Sequence, residues 1–108
     1  MTSGISSNTA LTGLRAAART LSNSAHQTAN ATTPGFRAGA TALVDEAPGV
    51  RAVTDPGGQD PAALDEPSNV SIGREAVTQM AAQSLYRANL ASIRTEDEVL
   101  GQAIDIKR

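Results

Sequence analysis

Few residues in this chain of 108 could carry chemistry, and their spacing does not gather them into a site. His26 is the single histidine, with no Cys or carboxylate at metal-ligand spacing near it and no group to orient it as a base. It reads as a solvated or interface histidine. Glu96-Asp97-Glu98 is the one dense acidic run; paired carboxylates can do acid/base work, but nothing accompanies these, and a solvated helix face is the simpler reading. Gly57-Gly58 precedes no Lys-Ser/Thr helix start, so a phosphate-cradling loop is missing. Asn30-Ala31-Thr32 and Asn69-Val70-Ser71 fit the glycosylation acceptor pattern, which arises often by chance. Without cysteine there is no disulfide framework, thiolate zinc site or Cys nucleophile. The expectation is a protein that is not an enzyme and takes no metal or cofactor.

The elements that would position any such residue are unusual in composition. Hydrophobic residues make up 40% of the chain, yet twenty of them are Ala and the aromatics are only Phe36 and Tyr86. Leu, Ile, Val and Phe together supply 20 residues, which falls under the rough one-fifth below which a self-sufficient core is doubtful. Charge repulsion does not explain this, since the net charge is only −2. Ala-rich helices that pack closely and complete their core with a partner fit better. The longest apolar runs are a few residues, far short of the ~20 that a membrane-spanning helix needs. No charged segment followed by an apolar stretch opens the chain, so no cleavable secretory signal is expected. A pI near 5.2 argues against nucleic acid as partner.

All five prolines lie between residues 34 and 67 and divide the chain into residues 1–36, an acidic connector 37–67 and residues 68–108. In the first arm Leu11, Leu14, Ala18, Leu21, Ala25 and Thr28 recur at alternating spacings of 3 and 4, the seam of a helix that packs along another. Ser6, Ser7 and Asn8 offer N-caps, and Thr33-Pro34-Gly35 offers a stop, which predicts a helix from about residue 7 to 32. In the last arm, Ser68, Asn69 and Ser71 offer caps. One row there runs Ile72, Ala76, Gln79, Gln83, Tyr86, Leu90, Ile93, Asp97, Leu100, Ile104, and a second runs Val77, Ala81, Leu85, Ala88, Ser92, Thr95, Val99. Two rows suggest neighbours on two sides. Turn signals at Ala47-Pro48-Gly49 and Asp55-Pro56-Gly57-Gly58 bracket Val50-Arg51-Ala52-Val53, which alternates as a short strand would.

The two ends together are specific. Leu11-Thr12-Gly13-Leu14-Arg15-Ala16-Ala17, followed by Ala29-Asn30-Ala31-Thr32-Thr33-Pro34-Gly35-Phe36-Arg37, resembles the N-terminal signature of bacterial flagellar rod and hook proteins. Ser68-Asn69-Val70, Glu75, Val77, Ala82-Gln83, Tyr86, Ala88-Asn89, Ile93, Thr95, Asp97-Glu98 and Leu100-Gly101 resemble the C-terminal one. The chain departs from the pattern at His26-Gln27-Thr28, where the family usually has Asn-Asn-Ile, at Thr32 for Asn, at Ser71 for Asp and at Ser84 for Arg. The connector lacks the outer domains of larger members, so the chain looks like a short rod-type member.

The resemblance implies a mainly α fold, in which N- and C-terminal helices pair as an antiparallel coiled coil around an irregular middle with room for a short β element. It also implies a structural subunit of the basal-body rod that stacks on itself and on other rod and hook proteins into a torque-transmitting tube. Such a subunit leaves the cell through the flagellar type III export apparatus without a cleaved signal, and reaches the periplasm-spanning rod. On this reading the assembly residues are Leu11, Leu14, Leu21 and Phe36 on the first arm. On the last arm they are Val77, Met80, Leu85, Tyr86, Leu90, Ile93, Val99 and Leu100. The seam leucines also fit a simple intramolecular hairpin core. A second function stands beside the first, that of a small helical adaptor or regulator using the same surfaces in a soluble complex.

Overall fold

The computed structural model describes residues 2–107, with side chains over 8–104. Helix α1 spans Thr2–Ala29 and helix α2 spans Ile72–Lys107. Between them run β1 (Phe36–Arg37), β2 (Thr41–Glu46), β3 (Gly49–Thr54), β4 (Gly58–Gln59) and a 3-10 turn, Pro61–Ala63. The helices lie side by side and antiparallel: Gly13 sits against Asn89, Ser24 against Glu75, and Thr28 against Gln79. The body is rod-shaped, 70 × 23 × 14 Å.

Local signals account for the ends of the helices. The Ser71 hydroxyl accepts the Arg74 N–H at 3.3 Å and its carbonyl accepts the Glu75 N–H at 3.0 Å, so Ser71 caps α2, and Glu75 places a carboxylate in the first turn, where the helix dipole favours it. α1 already starts at Thr2, so Ser6-Ser7-Asn8 is helix interior rather than cap, and the side chains of Ser6 and Ser7 lie outside the described residues. At its other end α1 stops at Ala29, and residues 30–35 continue as turns up to Gly35, whose φ of 72° reverses the chain.

The sequence reading of the fold needs correction in two places. The middle is not irregular. β2 and β3 form an antiparallel hairpin pairing Thr41 with Thr54 through Glu46 with Gly49, and β1 pairs with β4 in a second two-stranded sheet. The hairpin face carrying Val50, Ala52 and Thr54 lies on α1: the Val50 N–H donates to Thr12 Oγ1 at 3.2 Å, the Asn23 amide donates to Thr41 Oγ1 at 3.0 Å, and Ala52 is buried. β2 lacks a clean alternation because it lies farther from α1 than β3 does: Leu43, paired with the buried Ala52 and on the same face, is itself exposed. The chain is therefore helical at both ends and β-rich between them.

The second correction concerns the seam. The row that α1 buries is Ala10, Gly13, Ala17, Ser24 and Gln27, one residue and 100° away from the leucine row. Leu11 is exposed, and Leu14 and Leu21 are half-buried. On α2 the row facing α1 holds Glu75, Gln79, Ala82 and Asn89, while Ile72, Val77 and Tyr86 remain exposed. The cause is close approach. α1 is flanked by α2 and by the hairpin together, and only Gly, Ala and Ser allow both: a Cβ on Gly13 would collide with the Asn89 side chain. Among the described residues the buried apolar core is six alanines and Phe36.

The strap returning from the hairpin is packed equally tightly. Gly57 has a φ of 70°, and a Cβ on Gly39 would strike the Asp55 carbonyl. Gly39→Ala forces backbone apart rather than a side chain, so it is expected to lower stability by about 1–3 kcal/mol. The check is the thermal midpoint by circular dichroism; an unchanged midpoint would mean that the strap yields freely.

Candidate assembly surface

Phe36 is 4% exposed and joins the corner to the rest of the chain. The His26 ring meets it edge-on at 5.8 Å. Around it the Gly35 N–H donates to the Glu66 carbonyl at 2.7 Å, the Asp60 N–H to the Gly35 carbonyl at 2.8 Å, and the Asn69 N–H to the Phe36 carbonyl at 3.1 Å. Arg37 and Glu66 form an ion pair beside it. The corner is thus a junction where α1, the strap and the approach to α2 are tied by backbone bonds.

Two polar features of this region escaped the sequence reading. Gln27, 1% exposed, donates from Nε2 to the Pro56 carbonyl at 2.7 Å and accepts the Gly39 N–H on Oε1 at 2.9 Å, so it pins the strap to α1 from both ends. The family departure at His26-Gln27-Thr28 therefore coincides with side chains the fold uses. Across the helix pair the buried Ser24 hydroxyl donates to Glu75 Oε1 at 2.8 Å, and Gln79 Nε2 donates to Thr28 Oγ1 at 3.1 Å. Side-chain amides and hydroxyls bonding across helices leave no hydrophobic period to detect: Thr28 and Gln79 fall on the seam rows, whereas Ser24 and Gln27 fall off them. Gln27→Leu keeps the volume but leaves the Gly39 N–H and the Pro56 carbonyl unpartnered, at about 1–3 kcal/mol for each buried group. Urea denaturation of that variant is expected to show a lower midpoint.

The residues expected at an interface divide by place. Phe36 is spent inside its own chain. Leu21 and Tyr86 line one groove, with Ala17, Ala18, Ser22, Ala25, Ala82, Gln83 and Arg87, on a cavity of about 360 Å³ whose walls are almost wholly apolar. The hairpin packs elsewhere on α1, at Thr12 and Asn23 and over the buried Ala16, and leaves this groove open. Leu14, Leu85, Leu90 and Ile93 are half-buried along the helices. Val77 and Met80 are 61% and 59% exposed, and Leu11, Val99 and Leu100 are also exposed. A run of large apolar side chains left in water over both helices exceeds the scattered exposure normal for a monomer surface.

The described residues contain no group of three or more His, Cys, Asp or Glu placed to hold a metal, and none of their helices is long and apolar enough to cross a membrane. A cavity of about 400 Å³ between α1, the strap and the start of α2 has mixed polar and apolar walls, and Ser24 and Glu75 on its wall already bond to each other. What is left is a rod-shaped, strapped helix pair with an uncovered apolar flank.

Residues 63–106, which hold the end of the strap and nearly all of α2, match the family model of the flagellar basal body rod FlgEFG protein C-terminal region. No curated protein matches the chain. The match makes this stretch, 44 of the 108 residues, similar to the C-terminal region of flagellar basal body rod proteins. It coincides with the C-terminal resemblance read from residues 68–101; the N-terminal motif lies outside the matched span.

Proposed function

We propose that this chain is a structural subunit of the flagellar rod that assembles through its two terminal helices, with copies of itself and with other rod and hook proteins, into the axial tube that carries torque. The observation that carries the reading is the pairing of a flagellar rod C-terminal match with α2 side chains that lie in water: Val77, Met80, Val99 and Leu100 sit within the matched span and are exposed. The Leu21–Tyr86 groove supports it from the other side of the helix pair. Mechanical work needs stiffness, and the Ala-based close packing, the Gln27 tie and the Phe36 corner supply it within each subunit. Delivery to the basal body through the type III export apparatus, without a cleaved signal, belongs to the same proposal.

A soluble adaptor would cover one flank and leave the other wet. Exposed apolar side chains on both the groove side and the outer side of α2 favour a subunit with more than one neighbour. The test is deletion and complementation in the source bacterium: loss of motility with basal bodies that stop short of the hook supports the rod subunit. Normal swimming without the chain contradicts it.

A further inference from the structure

We infer that a second copy of this chain docks on the open face of α1, with the end of its α2 laid along that face and displaced by about 18 Å, a dozen residues at 1.5 Å each. The inference rests on the self-assembly reading and specifies its register. The open face consists of Leu11, Arg15, Ala18, Arg19 and Ser22, all exposed. Arg15 and Arg19 are the only charged side chains in residues 1–36, and neither enters an ion pair among the described residues. Arg51 of the hairpin stands beside them, paired with Glu46 at 2.9 Å, and leaves the patch basic.

The last turns of α2 carry the complement. Asp97, Leu100 and Ile104 recur at spacings of 3 and 4 on one stripe, with Glu98 next to it, and all four are exposed. Within one chain, Gly13 opposite Asn89 and Ser24 opposite Gln79 set the register of the helix pair, so Asp97 lies level with the first turns of α1, far from Arg15. A copy moved along the axis by a dozen residues brings Asp97 and Glu98 between Arg15 and Arg19. The same displacement sets Leu100 level with Leu14 and Ile104 beside Leu11. One shift thus satisfies two independent patterns, the opposite charges and the apolar pair. Charge matching at such an exposed rim fixes register and encounter rate more than affinity, which is what a stacking subunit requires.

The chain has no cysteine, so a disulfide can be introduced without interference. Leu14→Cys with Leu100→Cys cannot close within one chain, because those positions are about 18 Å apart along the pair and a disulfide needs Cα atoms within about 7 Å. Gly13→Cys with Asn89→Cys closes within one chain and reports the fold, since a Cβ on Gly13 would lie 2.6 Å from Asn89 Cγ. Full-length protein carrying each pair would be oxidised at concentrations where sedimentation shows oligomers. The expected result is a ladder of covalent oligomers from the 14–100 pair and bonded monomer from the 13–89 pair. Arg15→Glu with Arg19→Glu should slow the ladder by at least about tenfold in low salt, and adding Asp97→Arg with Glu98→Arg to the same chain should restore it. Oligomers that form without a 14–100 bond, or charge reversal without rescue, would overturn this register and leave self-assembly standing. A chain that forms the 13–89 bond and stays monomeric at every concentration would overturn both.

Discussion

Phe36→Ala is expected to remove the cooperative folding transition of the isolated chain. Large aromatic truncations in a packed core cost about 3–5 kcal/mol, and small domains hold only about 5–15 in all. Here the loss cannot be shared, because the rest of the buried apolar core is alanine. The backbone bonds that Gly35, Phe36, Asp60 and Asn69 exchange at the corner depend on the same packing. Circular dichroism during a thermal scan should show a broad, shallow melt, and hydrogen exchange should find the Asp60 and Asn69 amides unprotected. A sharp transition at the wild-type midpoint would mean that the strap is held without its aromatic anchor.

The opposite behaviour is expected of Leu21→Asp combined with Tyr86→Asp. Both side chains border the open groove, so the monomer has little to lose, within the ~0.5 kcal/mol usual for surface changes on Tyr86 and somewhat more for the half-buried Leu21. In an assembly the two carboxylates would be taken out of water with one cation of the groove, Arg87, between them, and the carboxylate left unpaired costs several kcal/mol at each contact. Every subunit repeats that contact, so polymer growth should stop altogether. Sedimentation velocity should give a folded monomer at concentrations where wild type associates, and cells carrying the variant should not swim. A variant that unfolds would place Leu21 and Tyr86 in the core; one that associates as wild type does would remove the groove from the assembly surface.

These two substitutions also mark what could be read from the sequence. Thr33-Pro34-Gly35-Phe36 was legible because Pro, Gly and a lone aromatic act locally, through fixed φ, free φ and size. The leucine period on α1 was legible as a stripe, but its partner was not. Nothing in a 3–4 repeat says whether its stripe faces a neighbour in the same chain or another one, and here the intramolecular seam went to Gly13, Ala17, Ser24 and Gln27. Side chains that small and polar carry no hydrophobic period. β2 was hidden for a related reason: Thr41–Glu46 is a strand by virtue of its pairing with Gly49–Thr54, with little burial of its own to leave an alternating pattern. The Gln27 tie joins positions twelve and twenty-nine residues apart and has no local signature at all.

Whether the chain is built into the flagellar rod is tested most directly by isolating basal bodies from motile cells that express it with an epitope tag, then probing purified rods and the soluble fraction for the tag. A rod subunit is expected to co-purify with the rods and survive washing, while the Leu21→Asp, Tyr86→Asp variant is made at normal levels yet is missing from them. Wild-type chain recovered only in the soluble fraction, with rods complete in its absence, would contradict a structural role.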